Sequence, residues 1–201
     1  MKKIILLVAF MVQCSFGQTK KETAIFNFDP EFNFYASIPN DFGNTYLAEA
    51  NKPDLGLGFQ YNFVQAKNFK LGFGYDFIYY RVTDVARAGN YNSSRYHSYM
   101  GTLGYELNLS KKWQIEPYLG LGSAKLKFKS ASRKFGHQTG TAFKLGTKAS
   151  YRLDKTFSTF AGIEYVSAQY DVNTAPEWVS FYDHATRFQV NLGVKIEFAF
   201  Q

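Results

Sequence analysis

Three histidines, His97, His137 and His184, are the residues best suited to chemistry, because a histidine beside a hydroxyl and an acid can activate a nucleophile. His97 is followed by Ser98, and His184 follows Asp183. Adjacency along the chain does not by itself create nucleophile–base geometry, and no recognisable deacylase motif surrounds these residues. The sequence also shows no phosphate-cradling loop and no spaced set of metal ligands. We therefore predict that the protein is not an enzyme and has neither a cofactor nor a metal site.

Residues 1–17 have the pattern of a secretory signal peptide, which leaves residues 18–201 as one domain. Lys2 and Lys3 precede an apolar run over residues 4–12, and Ser15 and Gly17 form a small-x-small cleavage site. The run is too short for a membrane-spanning helix, which needs about 20 residues. Cleavage would remove Cys14, the single cysteine, so the exported chain has no disulfide, cysteine-based metal site or thiol nucleophile.

The formal net charge of +7 falls by two when the signal lysines are removed, and 19% of the residues are aromatic. A basic balance is compatible with nucleic acid or anionic lipid as a partner. Because the chain is predicted to be exported, we expect no nucleic-acid partner.

Apolar residues alternate with polar residues and glycines along eight stretches of the chain, the pattern of strands with one apolar and one polar face. The last stretch is the clearest, since every second residue from Phe188 to Phe200 is apolar. Glycines inside these stretches fall on the polar face, where they would make room in a narrow interior. The eight predicted strands cover residues 26–38, 55–63, 69–79, 95–109, 113–128, 139–153, 156–170 and 184–200.

The connections alternate between short and long, as they do in transmembrane β-barrels with tight periplasmic turns and longer extracellular loops. The short ones cover residues 65–68, 110–112 and 154–155, and the long ones cover residues 39–52, 83–94, 129–138 and 171–183. The architecture of a soluble β-sandwich does not require short and long connections to alternate. The sequence therefore predicts an all-β fold, an eight-stranded antiparallel up-and-down transmembrane β-barrel with its apolar face toward lipid.

These patterns resemble the small outer-membrane barrels of the OmpA and OmpX type, particularly the single-domain "porin family" β-barrel proteins of Gram-negative bacteria. The resemblance covers essentially all of residues 18–201, although Gln201 follows Phe200 where such barrels commonly end in an aromatic residue. It implies a cell-surface membrane protein in the outer membrane, a monomer in contact with outer-membrane lipid and lipopolysaccharide.

That resemblance favours a structural or surface-interaction protein that meets an extracellular protein or ligand through its four long loops. Two alternatives stay open. One is a narrow channel or minor transport porin, and the other is a lipid A-modifying enzyme, because some small barrels of this shape modify lipid A.

Strand parity places six basic and five acidic side chains inside the barrel. Buried charges must be paired or hydrated, which predicts a ladder of interior salt bridges that plugs the lumen. A narrow gated conduit for ions is the alternative. The predicted ladder consists of Lys70, Asp76, Glu106, Glu116, Lys144, Lys148, Arg152, Glu164, Arg187, Lys195 and Glu197.

The third long loop and its approach are basic, with Lys125, Lys127, Lys129, Arg133 and Lys134. If these side chains point outward at the outer rim, they would lie near the phosphates of lipopolysaccharide. The alternatives are a solvated edge or, after a β-bulge, side chains that turn inward.

The fourth long loop carries Trp178, Phe181 and Tyr182, more apolar surface than an exposed loop needs. These aromatics are candidates for a partner-binding patch. The alternative is that they fold over the barrel mouth or join the interfacial aromatic belt.

Overall fold

Eight long antiparallel strands dominate the computed structural model, which describes residues 28–130 and 133–198. The predicted signal peptide lies outside the described residues. Two short strands, β2 (Asn51–Pro53) and β6 (Leu107–Asn108), pair with the long strands β4 (Phe69–Val82) and β7 (Trp113–Ser130), respectively. The long strands are β1 (Glu31–Phe42), β3 (Gly56–Ala66), β4 (Phe69–Val82), β5 (Ser93–Tyr105), β7 (Trp113–Ser130), β8 (Arg133–Arg152), β9 (Phe157–Tyr170) and β10 (His184–Glu197).

The sheet closes on itself. Each long strand pairs with the next long strand along the chain, and β1 pairs with β10 in a register that sets Phe32 opposite Ile196. Closure gives every long strand a paired neighbour on both sides. The predicted eight-stranded antiparallel barrel is thus confirmed.

Side chains are distributed inside out, with polar groups in the barrel and apolar groups on its exterior. Within β10, Arg187, Gln189 and Asn191 are buried, whereas Phe188 and Leu192 are exposed. An exterior of this kind is suited to lipid tails, as in transmembrane barrels. Other exposed apolar side chains are Phe34, Ile38, Leu57, Leu71, Phe73, Leu103, Leu119, Leu121, Phe143, Leu145, Ile163, Val190 and Val194.

The two ends of the barrel differ. At the short-turn end, residues 67–68, 106–112 and 153–156 connect strands, and β1 begins beside the end of β10. At the long-loop end, residues 43–55, 83–92 and 171–183 connect strands and carry three helices in the described chain: α1 (Tyr46–Ala50), α2 (Val85–Ala88) and α3 (Pro176–Tyr182). None of the described helices is long and apolar enough to cross a membrane.

The prediction of a third long loop over residues 129–138 is wrong. There β7 runs to Ser130 and β8 starts at Arg133, and the two strands pair along almost their whole length. The pairing of β8 with β9 stops at Gly140 opposite Tyr170. Since the β7–β8 ladder continues past that point, this hairpin rises above its neighbour β9.

Glycines inside the barrel make room for aromatic rings as well as for charged side chains. A Cβ atom on Gly58 would lie 2.0 Å from the ring of Tyr35, and one on Gly146 would lie 2.7 Å from the ring of Tyr118. Real Cβ atoms cannot approach so closely. These glycines therefore allow two tyrosines to occupy the lumen of a barrel that is narrow at eight strands.

Candidate functional site

A cluster of buried charges fills the lumen near the short-turn end, and Lys70 lies at its centre. Nζ of Lys70 is 2.5 Å from Oε2 of Glu31 and 2.5 Å from Oε2 of Glu106. Oε2 of Glu116 lies 3.5 Å away. All four side chains are buried, so one ammonium group links three carboxylates that belong to different parts of the wall.

Two more lysines join the same carboxylates. Nζ of Lys148 lies 2.9 Å from Oε1 of Glu116 and 3.8 Å from Oε1 of Glu31. Nζ of Lys195 lies 2.7 Å from Oε1 of Glu197 and 3.6 Å from Oε2 of Glu31. Glu31 therefore faces three ammonium groups, which offsets the unfavourable burial of its own charge.

Three of these acids could in principle hold a cation, because one oxygen from each of Glu31, Glu106 and Glu197 falls within 4.8 Å of the others. Their carboxylates are already bound by ammonium groups. Nζ of Lys70 contacts Glu31 and Glu106, and Nζ of Lys195 contacts Glu197. The acids act here as partners of lysines.

A second cluster lies further along the lumen. Nζ of Lys144 lies 2.6 Å from Oδ2 of Asp76 and 3.2 Å from Oε1 of Glu164. Two tyrosines also donate to the acids: Tyr35 donates to Oδ1 of Asp76 at 2.6 Å, and Tyr118 donates to Oε2 of Glu164. Charge-assisted hydrogen bonds of this kind are stronger than neutral ones, and they cross-link the wall through its interior.

Arg187 occupies the lumen toward the long-loop end and is 1% exposed. Its Nε donates to Oε1 of Gln189 at 3.0 Å, and its guanidinium carbon lies 3.9 Å from the ring centre of Tyr96. Above it, Tyr80 donates to Asp41 at 2.9 Å. The guanidinium is therefore held by a ring face and an amide inside the barrel.

The structure buries nine of the eleven residues assigned to the lumen by parity and brings them together in these clusters. Arg152 and Glu197 instead lie at the rim of the short-turn end, with side chains 37% and 24% exposed, and pair at 3.7 Å. The nine buried residues are Lys70, Asp76, Glu106, Glu116, Lys144, Lys148, Glu164, Arg187 and Lys195.

Glu31 is the functional residue that the sequence reasoning missed, although it contacts more lysines than any predicted acid. A signal was present, because Glu31 shares its strand parity with Asn33 and Ser37 and alternates with Phe32 and Phe34. With Glu31 included, the six basic groups of the predicted ladder face six acids.

On the outside of the barrel, basic side chains gather near the long-loop end to form what we call the outer basic surface. Its lysines alternate along β7 with buried Leu126 and Phe128, so they face outward and do not turn into the lumen. Pairing sets Arg95 opposite Lys127, and His97 opposite Lys125. The outer basic surface consists of Arg95, His97, Lys125, Lys127, Lys129 and His137.

A recess of about 390 Å³ lies in the outer basic surface. Within the described parts of the chain, no carboxylate lies within 4.0 Å of a basic group of this surface. Arg133 and Lys134, which the sequence grouped with these lysines, belong to β8, but their side chains are outside what the structure describes. The surface therefore presents positive charge without a described counter-charge.

The aromatic residues of the fourth long loop separate into two environments. Phe181 belongs to a buried apolar cluster on the helices of the long loops, which we call the roof and which also contains Tyr46, Leu47, Ala50 and Ala88. The ring of Tyr182 packs 5.6 Å from that of Tyr46, and its hydroxyl donates to the carbonyl of Arg87 at 2.7 Å. Burial raises the pKa of both Tyr46 and Tyr182, so each stays neutral. Trp178 remains 52% exposed. Part of this loop thus folds over the mouth, and one indole faces outward.

His97 does not contact the hydroxyl of Ser98, which follows it in the sequence. Ser98 is buried in the lumen, whereas the adjacent His97 lies on the outer face, where its Nδ1 is 2.8 Å from the hydroxyl of Tyr75. His184 Nδ1 lies 2.7 Å from Oδ1 of Asp183. His97 and Ser98 therefore do not form a nucleophile–base pair.

No protein-family model matches the chain, and no curated protein matches its sequence significantly. Solved structures do match. Neisserial surface protein A superposes with a TM-score of 0.59 at 13% identity, over 86% of this chain and 99% of that one. Ail, the attachment invasion locus protein of Yersinia pestis, gives 0.50 at 13% identity over 86% and 99%. AlkL, an outer membrane protein solved in lipid bilayers, gives 0.50 at 15% identity over 92% and 96%.

At such identities the likeness concerns the backbone and its topology. It agrees with the closed antiparallel cylinder found here. The chain therefore has the fold of the small eight-stranded outer-membrane β-barrels.

Proposed function

We propose that this protein is a monomeric outer-membrane barrel of a Gram-negative bacterium with a closed lumen, and that it acts as a structural or surface-interaction protein at its long-loop end. The apolar exterior and the signal-like residues 1–17 support export and insertion. The sorting of connections supports an orientation with the short-turn end in the periplasm and the long-loop end outside the cell.

The observation that carries the closed lumen is the position of Lys144 between Asp76 and Glu164, midway along the barrel. Opening a path for ions would separate buried charges from their partners, at about 3–5 kcal/mol for each broken buried pair. Arg187 and the apolar roof at the long-loop end add a second barrier.

Planar-bilayer recordings with the purified protein test this proposal. We expect no large, stable conductance step, whereas an open porin reconstituted in the same way shows one. A reproducible open channel in the purified wild-type protein would refute the closed lumen and support the alternative of a narrow channel.

The outer basic surface supports a second element of the function, contact with the phosphates of lipopolysaccharide. Lys125 lies four residues beyond the lipid-facing Leu121 on the same face of β7, about 13 Å along the strand. Because this position lies beyond the exposed apolar residues of β7, we expect these side chains to reach the headgroup layer, where each basic residue contributes about 1 kcal/mol to binding an anionic surface. The similar barrel Ail has been solved with the heparin analogue sucrose octasulfate, a polyanion.

Replacing Lys125, Lys127 and Lys129 together with glutamine tests the lipopolysaccharide contact. We expect at least about tenfold weaker binding of the purified barrel to lipopolysaccharide vesicles than for the wild-type protein. A matched control replaces three exposed lysines of the short-turn end, namely Lys111, Lys112 and Lys155. Unchanged affinity in the first variant, or equal losses in both, would remove this element of the function.

A further inference from the structure

A pocket of about 350 Å³ opens at the long-loop end between the inner face of the β7–β8 hairpin and the roof of the lumen. Its size falls within the range of small-ligand sites, about 300–1,000 Å³. Phe128 lines both this pocket and the recess of the outer basic surface, but the other residues differ, since Tyr46 and Tyr182 line this pocket and no lysine does. The residues that define its chemistry are Tyr46, Tyr91, Phe128, Gln138, Asn173 and Tyr182.

Four aromatic rings form one side of this pocket. The rings of Tyr91 and Phe128 stack with centres 5.0 Å apart and planes 22° apart. Tyr46 contacts Phe128 edge-on at 5.7 Å and Tyr182 at 5.6 Å. Because each ring is held by another, the aromatic surface is rigid before any ligand arrives, which reduces the entropy lost on binding.

Apart from Arg87, the polar groups of the pocket are neutral. Gln138, Asn173 and Thr174 supply two amides and a hydroxyl. Oε1 of Gln138 is buried and accepts no hydrogen bond from any described residue. An unsatisfied buried carbonyl is unfavourable, so a ligand hydroxyl that donates to Oε1 of Gln138 would be favoured.

The pocket also presents no unpaired charge. Arg87 lines it, but the guanidinium of Arg87 lies 3.1 Å from the carboxylate of Glu49 and 3.6 Å from that of Asp84. A phosphate or sulfate would compete with those carboxylates for Arg87. The lining therefore favours a neutral ligand over an anion.

We propose that this pocket binds the ring of a neutral carbohydrate. A pyranose ring carries C–H groups on one face and hydroxyls around its edge. The negative face of an aromatic ring attracts the C–H groups, and amides exchange hydrogen bonds with the hydroxyls. The aromatic rings of the pocket therefore match the C–H face of a pyranose, and its neutral amides match the hydroxyls at the edge. The inference rests on the proposed surface role only for access of the ligand from outside the cell.

Titration of the purified full-length barrel with neutral methyl glycosides, followed by ligand-observed NMR, tests the proposal. The protein is kept in a polyoxyethylene detergent, because a maltoside would occupy a sugar site. The probes are the methyl glycosides of glucose, galactose, mannose and N-acetylglucosamine. We expect saturable binding of at least one of them, weakened at least tenfold in Gln138→Leu and in Asn173→Ala.

Gln169→Leu is the matched control, because Gln169 lies on the exposed face of β9 near the same end. This variant should bind like the wild-type protein, and a folded-barrel gel shift verifies all three variants. Absence of saturable binding, an affinity unchanged in both pocket variants, or binding of tetramethylammonium instead of sugar would overturn the proposal. If the purified protein bound the sugar but intact cells did not, the proposed ligand of the pocket would stand and the proposed outward orientation would be refuted.

Discussion

Nζ of Lys70 lies 2.5 Å from Oε2 of Glu31, and both side chains are almost fully buried although 39 residues separate them in the chain. Glu31 belongs to β1 and Lys70 to β4, and β3 lies between these strands in the wall. The contact therefore runs through the interior and not along neighbouring strands.

Replacing Glu31 with glutamine should destabilise the barrel, because it leaves Lys70 with fewer acids and removes the acid that faces Lys148 and Lys195. Breaking a buried ion pair from one side decreases the free energy of unfolding by about 3–5 kcal/mol. Urea unfolding in lipid vesicles measures the loss. Glu177→Gln is the control, since Glu177 is exposed on α3 and should change stability by less than about 0.5 kcal/mol. Equal stability of the two variants would contradict the role assigned to Glu31.

Replacing Gly58 with alanine should destabilise the barrel by about 1–3 kcal/mol, since the new methyl group would lie 2.0 Å from the ring of Tyr35. The same substitution at Gly101 serves as the control, because the nearest atom there is a carbonyl oxygen of Leu121 at 3.8 Å. Vesicle-based urea titrations of both variants compare the two sites. If the two alanines proved equally harmless, Tyr35 would not fill the lumen as described.

The turn between β8 and β9 should depend on pH through Asp154. Oδ1 of Asp154 accepts from the backbone N–H groups of Thr156 and Phe157, both at 2.7 Å. These hydrogen bonds lower the pKa of Asp154 below its usual value. With a lower pKa in the folded state, the stabilisation is present above the unfolded pKa and is lost as pH falls through the folded pKa.

We therefore expect Asp154→Ala to lower the urea midpoint at pH 7, and its difference from wild type to shrink as the pH is reduced below about 4. Unfolding titrations of both proteins between neutral and acidic pH measure this difference. A difference that stays constant across the range would show that the carboxylate does not hold the turn.

The roof at the long-loop end should loosen when Phe181 is replaced with alanine. Phe181 is 8% exposed and contacts the ring of Tyr182 edge-on at 4.9 Å. Truncation of a buried phenylalanine weakens local packing by about 3–5 kcal/mol. Limited proteolysis in detergent should cut the loop that carries α3 faster, while the barrel wall stays protected. Trp178→Ala should leave the cleavage rate unchanged, because Trp178 is 52% exposed, and equal acceleration in both would argue against a packed roof.

Most of the fold could be predicted from the sequence, because alternation with period two is a local property of each strand. The strand predicted over residues 156–170 was observed as Phe157–Tyr170, and the one over residues 113–128 as Trp113–Ser130. The loop over residues 129–138 was wrong because basic and glycine residues there look like a connection. Cross-strand pairing between β7 and β8 keeps them extended.

The candidate site was predictable only in part. Parity indicated which charged side chains point inward, but it could not indicate that Lys144 would lie between Asp76 and Glu164. These residues come from three separate strands, and their relative height depends on the stagger of strands around the cylinder. The pocket beside Phe128 and Tyr182 has the same origin, since distant loops meet there.

The amino-acid sequence by itself determined that the chain forms strands with one apolar and one polar face, and that charged groups belong inside. Those properties follow from side-chain order along each strand, which does not depend on neighbours. Only the tertiary structure decided which acid meets which lysine, which lysines form the outer basic surface and which loops build the roof. These contacts join residues far apart in the chain, and closure of the sheet brings them within reach.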